Sequence, residues 1–309
     1  MSRLKLGSVS VDITNEQKIL FPGQKYSKAD VIAYYKFIAP YMLPHMKNRP
    51  LTMQRFPEGI TGQGFYHKNA PDYFPDWIKR IAVPKIDGSL VHYVICNNTA
   101  TLIYLANAGC LVPHLWLSTT QHLDYPDVLI FDLDPSRNND FKTVIHGAKQ
   151  LKKLLETIGL VPFVKSTGSR GLHVTVPIKP TVPYELVGHF ARAIADYLVQ
   201  KHPDKFTTEL AKKKRGGKVF IDWLRNGFGA TAVAPYAIRA KPEAPIAVPL
   251  AWSELDNPQL TPTYYTFANI TQRIKKMGDI WQDMQSCAGS LSKSIHLFNE
   301  LKNHSKITN

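Results

Sequence analysis

The run Val128-Leu129-Ile130-Phe131-Asp132-Leu133-Asp134-Pro135 carries four apolar residues into two carboxylates and closes on a proline. Short apolar runs bounded by turn residues form buried strands. Side chains alternate faces along a strand, so Asp132 and Asp134 point the same way, roughly 7 Å apart. Two anions at that spacing, at the mouth of a buried strand, repel each other and lose hydration. A cation must offset this, and a hard divalent metal is the obvious candidate. The competing reading is an exposed strand end with two solvated aspartates.

Two further stretches join this one. In Lys165-Ser166-Thr167-Gly168-Ser169-Arg170-Gly171-Leu172-His173 the glycines allow close backbone approach, and N–H groups, hydroxyls and Arg170 can cradle phosphate. A Gly/Ser loop by itself is often a hairpin turn; Arg170 and His173 at its rim favour phosphate. The other stretch is Val219-Phe220-Ile221-Asp222, an apolar strand ending in a third carboxylate just after the basic segment Lys212–Arg215. Three carboxylates on neighbouring strands suit two metals about 3.5–4 Å apart, one activating a 3′-hydroxyl and one holding a triphosphate. His173, Arg215 and Arg239 would then supply phosphate or electrostatic contacts.

The elements that must position these groups follow from the patterning. Ser27 with Asp30 three residues on forms a capping box, and Val31, Tyr34, Tyr35, Ile38 and Met42 make one helical face, with Pro44 and Pro50 bracketing its end. The first 26 residues read as a short strand and a loop. A basic strand from Arg49 to Phe56 and a glycine-rich turn lead to Phe65-Tyr66-His67-Lys68, aromatics beside cations that suit either base stacking or a core strand. Val91–Cys96 is a strand and Asn98 opens a helix. His114 follows, as a core histidine or a polar group near the site.

After the aspartate strand, Asp140 caps a helix with Phe141, Val144, Ile145, Ala148, Leu151, Leu155 and Ile158 on one face, ended by Gly159. Strands at 161–165 and 172–178 flank the Ser166–Gly171 loop. Pro183 opens a helix that turns Val187, Phe190, Ile194 and Tyr197 inward. Lys212–Gly217 reads as a basic flexible stretch, prolines crowd Ala234–Pro249, and the C-terminal segment is helical.

The chain has 309 residues, 44% hydrophobic and 20% charged, which describes a globular protein with a large core. Its 38 Lys+Arg against 24 Asp+Glu leave +14, which points to a polyanionic partner, most simply nucleic acid. Cys96, Cys110 and Cys287 form neither a disulfide framework nor a CxxC zinc pattern, as expected of thiols in a reducing cytosol. The N-terminus lacks a signal-peptide core and no run reaches the length of a membrane span. The expected location is cytoplasmic and nucleoid-associated, with no membrane partner.

The ordered set FDLDP, KSTGSRGLH and IDWLRN, followed by APYAIRAKPEAP, resembles the polymerase domain of bacterial DNA ligase D, of the archaeo-eukaryotic primase superfamily. The similarity runs from about Asp12 to Trp252. It implies an α/β (α+β) catalytic core with an RRM-like antiparallel or mixed sheet flanked by helices. It also implies two Mn²⁺ or Mg²⁺ ions, and nucleotide addition that fills gaps or extends ends in break repair, with ribonucleotides favoured. By motif position, Asp132, Asp134 and Asp222 match the metal ligands. Thr167, Ser169, Arg170 and His173 fall in the nucleotide loop, with Thr167 best placed for a ribose 2′-OH, and Arg215 and Arg239 match basic residues near the triphosphate. Asn15, Lys18 and Lys28 match a pocket for a downstream 5′-phosphate, to which Arg55 adds. Phe65 and Tyr66 fall where template bases stack, and His114 matches a histidine beside the primer end.

The implied partners are DNA with a 5′-phosphorylated gap or end and NTP or dNTP, with the end-binding protein Ku and a separate DNA ligase as companions. The departures are Val112 and Pro113 before the histidine, and Phe228 and Ala230 after the third aspartate, where relatives are more polar. Residues 1–309 are expected to form a single primase-polymerase domain: an N-terminal lobe at about 1–120, a metal core at about 121–252 and a helical segment at 253–309. That length leaves no room for ligase or nuclease modules, so a stand-alone polymerase is expected. Two rivals stay open: a haloacid dehalogenase-type phosphatase, whose strand also ends in DxD, and a non-catalytic DNA-end-binding protein.

Overall fold

The computed structural model describes residues 2–85, 87–136 and 141–307. The chain divides into two compact units. One holds 1–121, 231–248 and 263–279; the other holds 122–230, 249–262 and 280–309.

The first unit is built on an antiparallel sheet with strands in the order Thr231–Val233, Cys110–Trp116, Pro50–Arg55, Leu90–Ile95 and Arg80–Pro84; Phe65–His67 pairs the Pro50–Arg55 strand as well. Helix Lys28–Met46 carries the expected capping box, Ser27 and Asp30 exchanging side-chain and backbone bonds, and buries the whole face from Val31 to Met42. It takes both Pro40 and Pro44 inside and ends at Met46, between Pro44 and Pro50 as expected. The residues before it form two hairpins rather than one strand, Ser2–Leu6 with Val9–Ile13 and Ile19–Phe21 with Tyr26–Ser27. Gly7, at φ +64°, supplies the left-handed turn of the first.

The second unit carries the aspartate strand near the middle of a mixed sheet: Phe206–Thr207, Val219–Asp222, Val128–Asp134, Leu172–Pro177, Phe163–Ser166 and Pro249–Leu250. All its pairs are antiparallel except the first. Alternation sends Phe131 and Leu133, both fully buried, to one face and the two aspartates to the other. Helices Phe141–Thr157 and Tyr184–Lys201 pack on this sheet through Val144, Ala148, Leu151 and Leu155, and through Val187, Phe190 and Ile194. The expected cap Asp140 lies outside the described residues. Helix Leu291–Ile307 follows near the C-terminus. Among the described residues no helix is long and apolar enough to cross a membrane, and the three cysteines are free.

One side chain completes the sheet where the backbone runs out. The Val219–Asp222 strand pairs the aspartate strand only from Asp132 to Asp134. Beyond it the Asn226 amide accepts from Ile130 N (2.9 Å) and donates to Ile130 O (2.7 Å), fully buried, while also donating to Trp223 O (2.8 Å). Asn226→Ala leaves the N–H and C=O of Ile130 without these partners. A loss of about 2–4 kcal/mol is expected, since each unmet buried group costs roughly 1–3. A denaturant melt reads it, and a loss below about 0.5 kcal/mol would rule out the amide as a strand partner.

Candidate active site

The sheet register assembles the polar row. Asp132 stands opposite Asp222 on one neighbouring strand and opposite His173 on the other, and His173 stands opposite Lys165. Directly opposed residues share a face. Lys165, His173, Asp132 and Asp222 therefore line up across four strands, with Asp134 two residues along on the same side. Lys165 and His173 are buried, while the three carboxylates keep limited access, from 15% side-chain exposure at Asp132 to 24% at Asp134.

Burial holds the carboxyls of Asp134 and Asp222 above their ordinary range. The charge of Asp132 pushes the same way, against the pull of Arg170 and Arg215 on the first and of Arg225 on the second. Burial also drives His173 down to about 4, in spite of Asp132. Its ring is neutral at physiological pH, so the 3.5 Å approach of Nε2 to Asp132 Oδ2 is a polar contact and not an ion pair.

Arginines surround the carboxylates. One Arg170 nitrogen reaches both oxygens of Asp134, at 3.0 and 2.9 Å. The Arg225 guanidinium lies 3.4 Å from Asp132 and 3.3 Å from Asp222. Arg215 Nη1 is 3.7 Å from Asp134, and its buried guanidinium rides 3.8 Å over the Phe220 ring. The basic stretch before it is ordered into a 3₁₀ turn, Lys212–Lys214, because Arg215 donates to the carbonyls of Glu209 and Leu210, both at 3.0 Å. Among the described residues no group of three or more His, Cys, Asp or Glu is close enough to hold a metal. Three carboxylates on one face, two of them raised by burial and by Asp132, are nevertheless the all-oxygen set that a hard divalent ion requires.

The loop beside the aspartates is closed by Thr167. Its hydroxyl donates to Gly171 O (3.0 Å) and accepts from Ser169 N and Gly171 N (both 3.2 Å). The donor that the sequence offers to a ribose is thus used to shape the loop. Gly171 allows the loop to lie against the aspartate strand, since a Cβ there would overlap the carbonyl oxygen of Leu133.

In the first unit, Lys28 is buried, donates to Asn107 O (3.0 Å), and is lowered in pKa by burial and then by Lys18. Lys18 pairs with exposed Glu58 at 2.7 Å and lines an open cavity with Asn15, Glu16 and Gln17. Arg55 Nε donates to Ala108 O (2.9 Å), so Lys28 and Arg55 both sit at the carbonyl end of helix Thr99–Asn107, the negative end of its dipole. Arg55 also lies over Phe65 at 5.7 Å. Phe65 and Tyr66 are exposed, not core, and Tyr66 meets His114 edge-on at 5.5 Å. His114 itself is buried on the strand Cys110–Trp116. Arg239 is half-buried in the proline-rich segment, its N–H donating to Pro245 O.

Arg225, Asn226, Lys165 and Asn107 join the site residues only in the folded structure. The first two lie inside IDWLRN, and Arg225 is three residues past Asp222, an offset that brings side chains together on a helical turn. Lys165 opens KSTGSRGLH. Asn107 has no local signal.

Residues 27–281 match the family model of the LigD primase-polymerase domain. The bifunctional non-homologous end joining protein LigD of Bacillus subtilis is 34% identical over 269 residues, which cover 87% of this chain and 43% of that protein. The multifunctional non-homologous end joining DNA repair protein LigD of Mycobacterium tuberculosis is 31% identical over 294 residues, 92% of this chain and 38% of that one. The chain thus spans about two fifths of the length of these curated relatives. Among solved structures, the polymerase domain of Mycobacterium tuberculosis ligase D in complex with DNA superposes with a TM-score of 0.84 at 30% identity, covering 90% of this chain and 99% of that one.

Proposed function

The chain belongs to the LigD primase-polymerase domain family, and from that membership we propose that it is a template-dependent nucleotidyltransferase that fills gaps or extends ends in DNA break repair. The observation that carries the reading is the row His173–Asp132–Asp222, with Asp134 beside it and the Thr167-closed loop at its edge. Asp132, Asp134 and Asp222 are the residues that would hold two Mg²⁺ or Mn²⁺ ions, which when bound activate a 3′-hydroxyl and stabilise the leaving pyrophosphate.

The chain's own groups do the rest. Arg170, Arg215 and Arg239 offset the charge of the triphosphate, and Ser169 and His173 border the nucleotide. Thr167 holds the loop shape, and ribonucleotides are the favoured substrates. Lys18, Lys28, Asn15 and Arg55 receive a downstream 5′-phosphate. Exposed Phe65 and Tyr66 stack template bases, and His114 borders the primer end. Residues 1–309 act as one primase-polymerase domain on nucleoid DNA, with Ku and a DNA ligase as partners; the words non-homologous end joining in the relatives' names support the repair setting alone.

Extension of a primed, 5′-phosphorylated gap with Mn²⁺ tests this, with matched NTP and dNTP compared by kcat/KM. Templated addition is expected. Phosphate release from small esters without extension would favour the phosphatase, and a gel shift without extension would favour the end-binding protein. Within the same assay, Lys18→Ala with Lys28→Met should erase the preference for a phosphorylated over an unphosphorylated gap. It should also reduce the salt slope of binding by about 1–2, one contact per lysine. A preference that survives the double change would place the phosphate elsewhere.

A further inference from the structure

Arg225 differs from the other cations around the carboxylates. It follows Asp222 by three residues on a 3₁₀ turn, Leu224–Asn226, whose ends are both fixed. Leu224 N donates to Asp222 Oδ1 at 2.9 Å, and the Asn226 amide is clamped on Ile130. From that fixed base the guanidinium spans two strands, with Nε 3.3 Å from Asp222 Oδ2 and Nη2 3.4 Å from Asp132 Oδ2. These two residues oppose each other in the register, so the guanidinium fills the space between their carboxylates. The side chain is also 43% exposed, so it can leave without opening the core.

A single delocalised charge shared between two carboxylates is a weaker partner than a divalent ion that binds their oxygens directly. Both cannot occupy the same carboxylate oxygens at once. We propose that Arg225 is a resident counter-cation that bridges Asp132 and Asp222 in the metal-free protein and is displaced by the divalent ion, so that it sets the affinity for that ion. The inference rests on the proposed metal role of the aspartates. Arg225 is a positioning residue: it holds the carboxylates in place while no ion is bound and weakens ion binding by competing for them.

The test is direct Mn²⁺ binding to the whole chain, by calorimetric titration and by the electron paramagnetic resonance signal of free Mn²⁺, without DNA or nucleotide. Arg225→Gln is expected to bind Mn²⁺ about three- to tenfold more tightly than wild type, a modest gain because a partly exposed ion pair is screened. Its metal-free form should melt lower, and added Mn²⁺ should raise its Tm by more than it raises that of wild type. Arg225→Lys, which keeps the charge but loses the two-carboxylate span, should also bind more tightly, and serves if the glutamine variant fails to fold. Arg192→Gln removes a charge that stacks on Trp223 and pairs with Asp196, and should leave Mn²⁺ affinity at the wild-type value.

Equal or weaker binding by Arg225→Gln and Arg225→Lys overturns the proposal. So does equal tightening in Arg192→Gln, which would make the effect one of general charge. Asp132→Asn separates the two readings. If it binds Mn²⁺ as wild type does, the metal assignment itself fails; if it loses affinity while the Arg225 variants stay at wild type, only the bridging role fails.

Discussion

Asp132→Ala is expected to reduce primer extension by at least about a thousandfold while DNA binding in a gel shift stays near wild type, because several kcal/mol of transition-state stabilisation depend on the ions this carboxylate would hold. Asp132 is the central member of the row: it opposes Asp222, opposes His173 and contacts Arg225. Of the three carboxylates it is the one with a register partner on both neighbouring strands. The fold should survive the change. Asp132 is one of the charges that hold Asp134 and Asp222 above the ordinary carboxyl range, so its removal relieves repulsion rather than stranding a cation in the core. Arg225 keeps Asp222 at 3.3 Å. Asp222→Ala should behave alike. Near-normal extension by either variant would remove the aspartates from the chemistry, whatever their place in the sheet.

The second large effect is expected from the smallest change, Gly171→Ala. The added methyl would overlap the Leu133 carbonyl oxygen and stand 3.0 Å from its carbon, and Pro135 Cδ is 3.5 Å away. The first two are backbone atoms of the strand that carries both aspartates, and backbone cannot yield as the end of a flexible side chain does. The loop must therefore move away from the strand. Thr167 would move with it, because Thr167 N donates to Gly171 O (3.1 Å) and the Thr167 hydroxyl is bonded to both polar groups of Gly171. A displacement of about 1 Å in a positioning element costs on the order of a hundredfold in rate. The expected outcome is that loss in kcat/KM, with KM for the nucleotide raised and a Tm lower by a few degrees. Wild-type kcat/KM in Gly171→Ala would mean that the contact of loop and strand does not position the nucleotide.

Local signals in the sequence were enough for the three strands that carry the site, Val128–Asp134, Leu172–Pro177 and Val219–Asp222, for most of the helices and for the identity of the charged groups. They were not enough for the two N-terminal hairpins or for the strands Arg80–Pro84 and Cys110–Trp116. Four apolar residues before DxD define a strand whose alternation aims both aspartates one way, and Ser27 with Asp30 defines a helix start within four residues. The sequence also showed which groups are basic, but not what each cation is bonded to. Thr167 looked like a donor for a ribose, yet its hydroxyl is satisfied by Gly171 and Ser169, which only the closed loop brings within reach. The segment before Arg215 looked flexible, yet two carbonyls and the Phe220 ring pin that side chain.

The register was beyond the sequence altogether. A shift of one residue between strands would send Asp222 to the far face, and no local pattern fixes which residue of Val219–Asp222 opposes Asp132. Asn107 under Lys28 and Asn226 against Ile130 are separated from their partners by 79 and 96 positions. Hydrogen bonds over such spans are formed by chain folding and leave no periodicity behind. The tertiary structure therefore decided which of the many cations stands between the carboxylates, and it placed Arg225 there because the 3₁₀ turn after Asp222 leads back over the strand end.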